Sequence, residues 1–313
     1  MMNLLETSIL NTVGNTPLIE LSHIVPEGCA RILVKLESQN PTGSMKDRMA
    51  RAVVSGAITR GELLPEGTVV EYTGGSTGTS LAFVCAAMGY NLSIVTSDAF
   101  SLEKRDHMRA LGAEVLELPS EGGNTTKELI QKMIAKAKEL STSPDAYFAD
   151  QFNNPDAASG YVTMAEEIWD QSNQQIDAFV QSVGTAQCIT GVAGTLRNKN
   201  SGIYIVAVEP SESPVLSGGY PRPHKIEGVG PGFIPPIWKD SLANEIIQVS
   251  TEEAMDMSRR LAREEALFAG TSTGANVVAA IKLAGRLGLG HTIATVACDA
   301  GLKYLSGDLY KFH

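Results

Sequence analysis

Cysteine is scarce in this chain: Cys29, Cys85, Cys188 and Cys298 are four residues among 313, widely scattered. None belongs to a C-x-x-C pair or stands at ligand spacing from a histidine, which argues against a disulfide framework and against a metal site. Positive charge is also in short supply. The 25 lysines and arginines face 35 aspartates and glutamates, a net charge of −10 with no basic run, and this argues against nucleic acid as a partner. No stretch approaches the roughly 18 consecutive apolar residues of a membrane span. The opening Met1 to Leu10 contains Glu6 and lacks a basic region followed by an apolar run, so the chain reads as cytoplasmic.

What is present is the material of a folded core. Hydrophobic residues make up 43% and charged residues 19%, a composition that folds rather than one that stays disordered. The length exceeds what one hydrophobic core usually serves, so two lobes are expected. Short Val- and Ile-rich runs read as buried strands: Ile32 to Leu36, Val69 to Tyr72, Leu92 to Thr96, Val115 to Leu118, Ala178 to Val183, Ile203 to Val208 and Thr292 to Val296. Helical candidates lie between them: Met45 to Ser55, Thr77 to Met88, Leu102 to Leu111, Thr125 to Leu140, Ala157 to Gln171, Thr251 to Glu264 and Gly274 to Leu287. This alternation predicts an α/β protein with mainly parallel sheets and helices on both faces. The expected division is an N-terminal segment 1–39 packing with the larger domain, a smaller domain 40–150 and a larger domain 151–313.

In such folds ligands sit beyond the carboxyl ends of the strands, where loops run into helices. Three loops have that character, Thr73 to Gly78, Gly184 to Thr190 and Gly270 to Gly274, and a fourth segment stands out for its lysine. Asn40-Pro41-Thr42-Gly43-Ser44-Met45-Lys46-Asp47-Arg48 puts a lysine in the first turn of a helix, against the macrodipole, where stability alone would favour Asp or Glu. The plainer account is a solvated lysine beside Asp47. Asp47 and Arg48 are expected to fix this helix through local hydrogen bonds. Thr73-Gly74-Gly75-Ser76-Thr77-Gly78 leaves a strand and opens a helix, so its amides and hydroxyls can hold a carboxylate, although it also suits a plain turn. Gly184-Thr185-Ala186-Gln187-Cys188-Ile189-Thr190-Gly191 has the same setting and suits a phosphate monoester. Gly270 to Asn276 is again small and hydroxylated, and its ordinary alternative is an N-cap by Ser272 or Thr273. None of the five histidines matches a catalytic role.

Taken in order, these segments resemble the cysteine synthase and cystathionine β-synthase family of fold-type II pyridoxal-phosphate enzymes. The resemblance starts at Gly14-Asn15-Thr16-Pro17-Leu18 and runs through Pro41 to Arg48, Thr73 to Gly78, Ser101 to Arg105, Leu111 to Glu114 and Gln151 to Pro155. It continues through Val208-Glu209-Pro210, Glu227 to Pro235, Gly270 to Asn276 and Tyr304-Leu305-Ser306, and so spans essentially the whole chain.

The resemblance implies pyridoxal 5′-phosphate as cofactor, held as a Schiff base on Lys46, which also moves the substrate Cα proton. It implies that Thr73, Gly74, Gly75, Ser76 and Thr77 clamp the substrate carboxylate with help from Gln151, with Ser76 standing where the family has an asparagine near the cofactor's ring oxygen. Gly184, Thr185, Ala186, Gln187 and Cys188 match the phosphate cradle, Ser272 the serine facing the pyridine nitrogen, and Gly228 and Gly230 a loop bordering the active site. The implied reaction is β-replacement on an activated serine of the O-acetylserine type by sulfide or another nucleophile, via an aminoacrylate. Cystathionine β-synthase activity, a β-eliminating lyase or dehydratase, and a regulatory or binding paralogue that has lost the chemistry are the alternatives. A homodimer is implied, with the first dozen residues reaching toward the other subunit. Two loops depart from the family pattern. The carboxylate loop has Gly74 and Ser76 where Ser and Asn are usual, and the cradle has Ala186-Gln187-Cys188 where Gly-Gly-Thr is usual. The first departure bears on the amino-acid substrate, the second on cofactor affinity.

Overall fold

A computed structural model describes residues 8–123 and 126–311. The readings that concern residues 1–7, the helix start at Thr125 and His313 lie outside the described residues. The chain divides into two compact units, the first comprising residues 8–14 and 40–160 and the second residues 15–39 and 161–311.

The first unit is built on four strands, β3 (Thr68–Tyr72), β4 (Asn91–Ser97), β5 (Glu114–Leu118) and β6 (Ala146–Phe148), in the order β5-β4-β3-β6 and parallel throughout. Their connections are α2 (Ser76–Met88), α3 (Leu102–Ala110) and α4 (Lys127–Leu140), and α1 (Lys46–Arg60) precedes them. Val70, Tyr72 and Val95 on one face of the sheet meet Leu129, Met133 and Ala137 of α4. Val69 and Glu71 alternate to the opposite face and are buried as well, so helices cover both sides.

The second unit carries β1 (Leu18–Glu20), β2 (Arg31–Lys35), β7 (Ala178–Ser182), β8 (Tyr204–Pro210), β9 (Glu245–Val249) and β10 (Thr292–Val296) in the order β1-β2-β10-β7-β8-β9. Only the β1–β2 pair is antiparallel. Its helices are α5 (Val162–Gln171), α6 (Gln187–Lys199), α7 (Thr251–Glu264) and α8 (Thr271–Leu287). Ser250 opens α7 with a capping box, its hydroxyl accepting from the Glu253 amide at 3.1 Å while the Glu253 carboxylate accepts from the Ser250 amide at 2.8 Å. The expected α/β class with mainly parallel sheets is therefore the observed one.

Three expectations need correction. α1 continues to Arg60 rather than stopping at Ser55. Gly56 sits mid-helix because a β-carbon there would lie 2.9 Å from Asp156 Oδ1, with the rest of that carboxylate closer still. The segment 157–161 is not α-helical; a 3₁₀ turn, Ser159–Tyr161, comes before α5. Residue 160 in that turn is glycine because a side chain there would meet the Arg48 carbonyl oxygen at 2.6 Å. Finally, Thr271 to Thr273 are not a loop ahead of a helix beginning at Gly274 but the first turn of α8, whose N-cap Gly270 has no side-chain cap bond.

Candidate active site

In the first unit, Lys46 is the first residue of α1 and is half-buried. Among the described residues its ammonium has no ion-pair partner. The turn before it is tied down by Asp47, fully buried, which accepts from the Thr42 amide at 2.8 Å and the Thr42 hydroxyl at 2.6 Å. The same hydroxyl lies 3.3 Å from Ser80 Oγ on α2, so the start of α1 is pinned to the helix that follows the glycine-rich loop. Asp47 thus has the positioning role expected of it.

The loop Thr73–Thr77 leaves β3 and enters α2. Thr73 Oγ1 accepts from the Gly75 amide at 3.1 Å, and the Thr77 hydroxyl donates to Gln151 Oε1 at 2.7 Å. Gln151 is held in turn. Its side-chain nitrogen donates to the Tyr72 carbonyl at 3.2 Å and its backbone amide donates to Glu71 Oε2 at 3.0 Å. Glu71 also accepts from the Tyr72 amide at 2.9 Å. Burial pushes its carboxyl from 4.5 up to about 8, against the opposing pull of those two amide bonds. Sequence reasoning passed over Glu71, although an acidic residue inside the apolar run Val69–Tyr72 was a visible signal. It also passed over the Thr42–Ser80 link, which only the fold brings together. Gly74 and Gly75 are bare for a reason: Phe100 and Lys104 occupy the space their side chains would take.

In the second unit, Gly184 follows β7 and lies against the loop of Gly228, where an added β-carbon would overlap the Gly228 carbonyl. Gly228 and Gly230 both have positive φ, 81° and 56°. Ala186, the N-cap of α6, adopts the left-handed conformation at φ 61°, a geometry that costs a residue other than glycine roughly 1–2 kcal/mol. The turn that a glycine would favour is therefore kept without one. Ala186 offers no side-chain cap to the first amides of α6, and Gln187 and Cys188 follow it in the buried first turn. Thr190 Oγ1 and Ser182 Oγ, at this same end of β7 and α6, are buried without a hydrogen-bond partner.

Ser272 lies in the first turn of α8, 5% exposed. Asn276, one turn on, accepts from the Ser182 amide at 2.6 Å and donates to the Val296 carbonyl at 2.9 Å, which seats this helix start at the carboxyl ends of β7 and β10. Thr273 is not an N-cap; its hydroxyl oxygen accepts from the Cys298 amide at 3.0 Å. The structure thus gathers Thr73, Gly75, Thr77 and Gln151 around one strand end, and Gly184, Ala186, Gln187, Cys188, Gly228 and Ser272 around the strand ends of the second sheet.

A sequence profile described as pyridoxal-phosphate dependent enzyme matches residues 9–299. The chain belongs to this family. A cysteine synthase of Staphylococcus aureus strain Mu50 is 42% identical over 307 residues, 97% of each chain. A cysteine synthase of Entamoeba histolytica superposes with a TM-score of 0.91 at 38% identity, covering 100% of this chain and 93% of the other. An O-acetylserine-dependent cystathionine β-synthase of Helicobacter pylori does so with 0.91 at 35% identity, covering 99% and 100%. This pyridoxal-phosphate-dependent enzyme accordingly uses pyridoxal 5′-phosphate. Its residues fit that group: a lysine at a helix start whose ammonium has no ion-pair partner among the described residues, and a left-handed, uncapped helix N-terminus flanked by orphaned buried hydroxyls that suits a phosphate.

Proposed function

We propose that this enzyme replaces the β-substituent of a small activated serine, of the O-acetylserine type, with sulfide or another small nucleophile, as a cysteine synthase does. The arrangement of Lys46 on a helix start pinned to α2, whose own start is the Gln151-braced Thr73–Thr77 loop, carries this reading. Cysteine synthases of similar length on both the sequence and the structural side support it.

The bound cofactor supplies an electron sink for negative charge at the substrate Cα. Lys46 would hold it through Nζ and would serve as the acid/base that takes and returns the Cα proton, a role typically worth about 10²- to 10⁴-fold in rate. Thr73, Gly74, Gly75, Ser76 and Thr77 bind the substrate carboxylate, with Gln151 holding the Thr77 hydroxyl in place. The amides and side chains of Gly184, Thr185, Ala186, Gln187 and Cys188 bind the phosphate, and Gly228 backs that loop. Ser272 would offer the ring nitrogen a neutral hydroxyl. A hydroxyl, unlike a carboxylate, would not favour protonation there, and a moderate sink of that kind suits loss of a β-leaving group more than transamination. Homocysteine as the nucleophile is the second reading, favoured by the likeness to the Helicobacter pylori enzyme. We read the protein further as a cytoplasmic homodimer; among the described residues no helix is long and apolar enough to cross a membrane.

The test is an absorption spectrum of the purified protein before and after O-acetylserine and then sulfide, beside Lys46→Ala. A cofactor band that shifts on the first addition, returns on the second with release of cysteine, and does neither in the variant is the expected outcome. Pyruvate released equally with and without sulfide would replace this reading with β-elimination.

A further inference from the structure

The segment that backs the phosphate turn is held across its base by one imidazole. Gly230 is fastened on both sides: its amide donates to the Val183 carbonyl at 2.9 Å, just past β7, and its carbonyl lies 3.0 Å from His224 Nε2. The other ring nitrogen, Nδ1, lies 3.3 Å from the Ile226 amide. An amide only donates and a carbonyl only accepts, so the two contacts together define the form of the ring: Nδ1 is bare and accepts, while Nε2 carries the hydrogen and donates. Position 230 takes no side chain, since a β-carbon there would lie 2.9 Å from His224 Nε2 and 2.8 Å from Pro210 Cγ.

The ring spans a stretch that little else holds in shape. Of the described residues 221–230, Ile226 alone is buried, while Gly228 and Gly230, both at positive φ, have the backbone freedom of glycine to lose on folding. Two bonds moor the stretch to its neighbours, from the Lys225 amide to Thr251 Oγ1 at 3.0 Å and from the Glu227 amide to Thr271 Oγ1 at 3.0 Å. Neither bond is made by Gly228. It is the Gly228 carbonyl that meets the phosphate turn, close enough that a β-carbon on Gly184 would overlap its oxygen and come within 3.3 Å of its carbon. Gly228 sits between the Ile226 amide and the Gly230 carbonyl, the two groups that His224 joins.

We propose that His224 is a positioning residue for the cofactor phosphate: by joining the Ile226 amide to the Gly230 carbonyl it fixes the Gly228 carbonyl against Gly184, and so keeps the 184–188 turn in the shape that receives the phosphate. This rests on the reading of that turn as the phosphate cradle. Ala186 holds a left-handed conformation there without the ease of a glycine, so the turn draws on its neighbours to keep its form. With the imidazole lost, the Gly230 carbonyl and the buried Ile226 amide lose a partner, the segment gains freedom, and Gly184 loses its backing. The Glu227–Thr271 bond beside Ser272 does not involve the imidazole, so the cost falls on the phosphate rather than on the pyridine ring.

The experiment titrates the whole chain, as apoprotein, with pyridoxal 5′-phosphate and with pyridoxal, which lacks the phosphate, following the absorption band of the bound ligand. The wild type is expected to favour the phosphorylated form. In His224→Ala the affinity for pyridoxal 5′-phosphate should fall about tenfold, the size of one lost hydrogen bond whose partner stays unsatisfied, while that for pyridoxal stays put. His224→Asn keeps an acceptor for the Ile226 amide but loses the donor to Gly230, and should weaken alike. His224→Gln puts an amide nitrogen in the place of Nε2 and should recover most of the loss. Thermal melting of the same samples shows that the fold is kept, and His224→Asn carries the test should His224→Ala fail to fold. Unchanged pyridoxal 5′-phosphate affinity in these two variants, or an equal loss for both ligands, overturns the assignment of His224; a Gly184→Val protein that no longer prefers the phosphorylated form would leave the cradle reading standing. A wild type that does not distinguish the two ligands overturns both.

Discussion

Ala186 is the residue at which this chain pays for a departure from the glycine expected in the cradle. Its φ of 61° is in the region where a β-carbon crowds the following carbonyl, and the turn is nonetheless kept. Replacing it with glycine removes that strain but gives the unfolded chain more freedom, which offsets roughly 0.5–1 kcal/mol of the gain. Ala186→Gly is therefore expected to leave stability unchanged or raise it by up to about 1 kcal/mol in denaturant unfolding, with the apoprotein as the sample so that cofactor does not contribute. A loss of more than 1 kcal/mol would mean that the alanine methyl, buried at this turn, makes packing contacts worth more than the strain.

At the scale of elements, β3 is the piece that joins stability to function, because Glu71 within it holds the backbone of Gln151. Its folded carboxyl keeps a proton up to about pH 8, whereas the unfolded chain releases it near 4.5. Between those values the folded state binds the extra proton, so this group's contribution to stability is complete below pH 4.5 and is lost as the pH rises through 8, by at most about 1.4 kcal/mol per pH unit. Glu71→Gln should flatten the fall in the unfolding midpoint between pH 5 and pH 8; a variant as steep as the wild type would show that the two amide bonds keep Glu71 ionised. Longer elements were legible in the sequence: the span of α7, Thr251 to Glu264, and of β10, Thr292 to Val296, follow from periodicity and caps alone. The strands β1 and β6 have three residues each, too few for alternation to register, and β9 is a sheet-edge strand with mixed burial. The extent of α1 beyond Ser55 was illegible, because sequence cannot tell a glycine that breaks a helix from one that admits the Asp156 carboxylate. The site was legible where its residues are contiguous, in Thr73–Thr77 and Gly184–Cys188. It was illegible where Phe100 and Lys104 meet that loop through tertiary packing.

For the molecule as a whole, the cofactor is a ligand of the folded chain alone, since the 184–188 turn and Ser272, at the strand ends of one sheet, come together only on folding. A ligand of that kind stabilises by RT ln(1 + [L]/Kd), about 2.7 kcal/mol at one hundred times Kd. For domains of 150–250 residues each kcal/mol corresponds to roughly 2–4 °C, so saturating pyridoxal phosphate should raise the melting temperature of the apoprotein by roughly 5–10 °C. The size of the rise in two variants separates the anchors. Lys46→Ala loses the covalent link but keeps the phosphate contacts, so part of the rise should survive. In Gly184→Val the new β-carbon is driven against the Gly228 carbonyl, the turn cannot keep its approach to that loop, and the rise should vanish whatever the variant's own melting temperature. Differential scanning calorimetry with and without cofactor reads both. A Gly184→Val protein that gains as much as the wild type would move the phosphate away from this turn, and with it the reason for the left-handed Ala186.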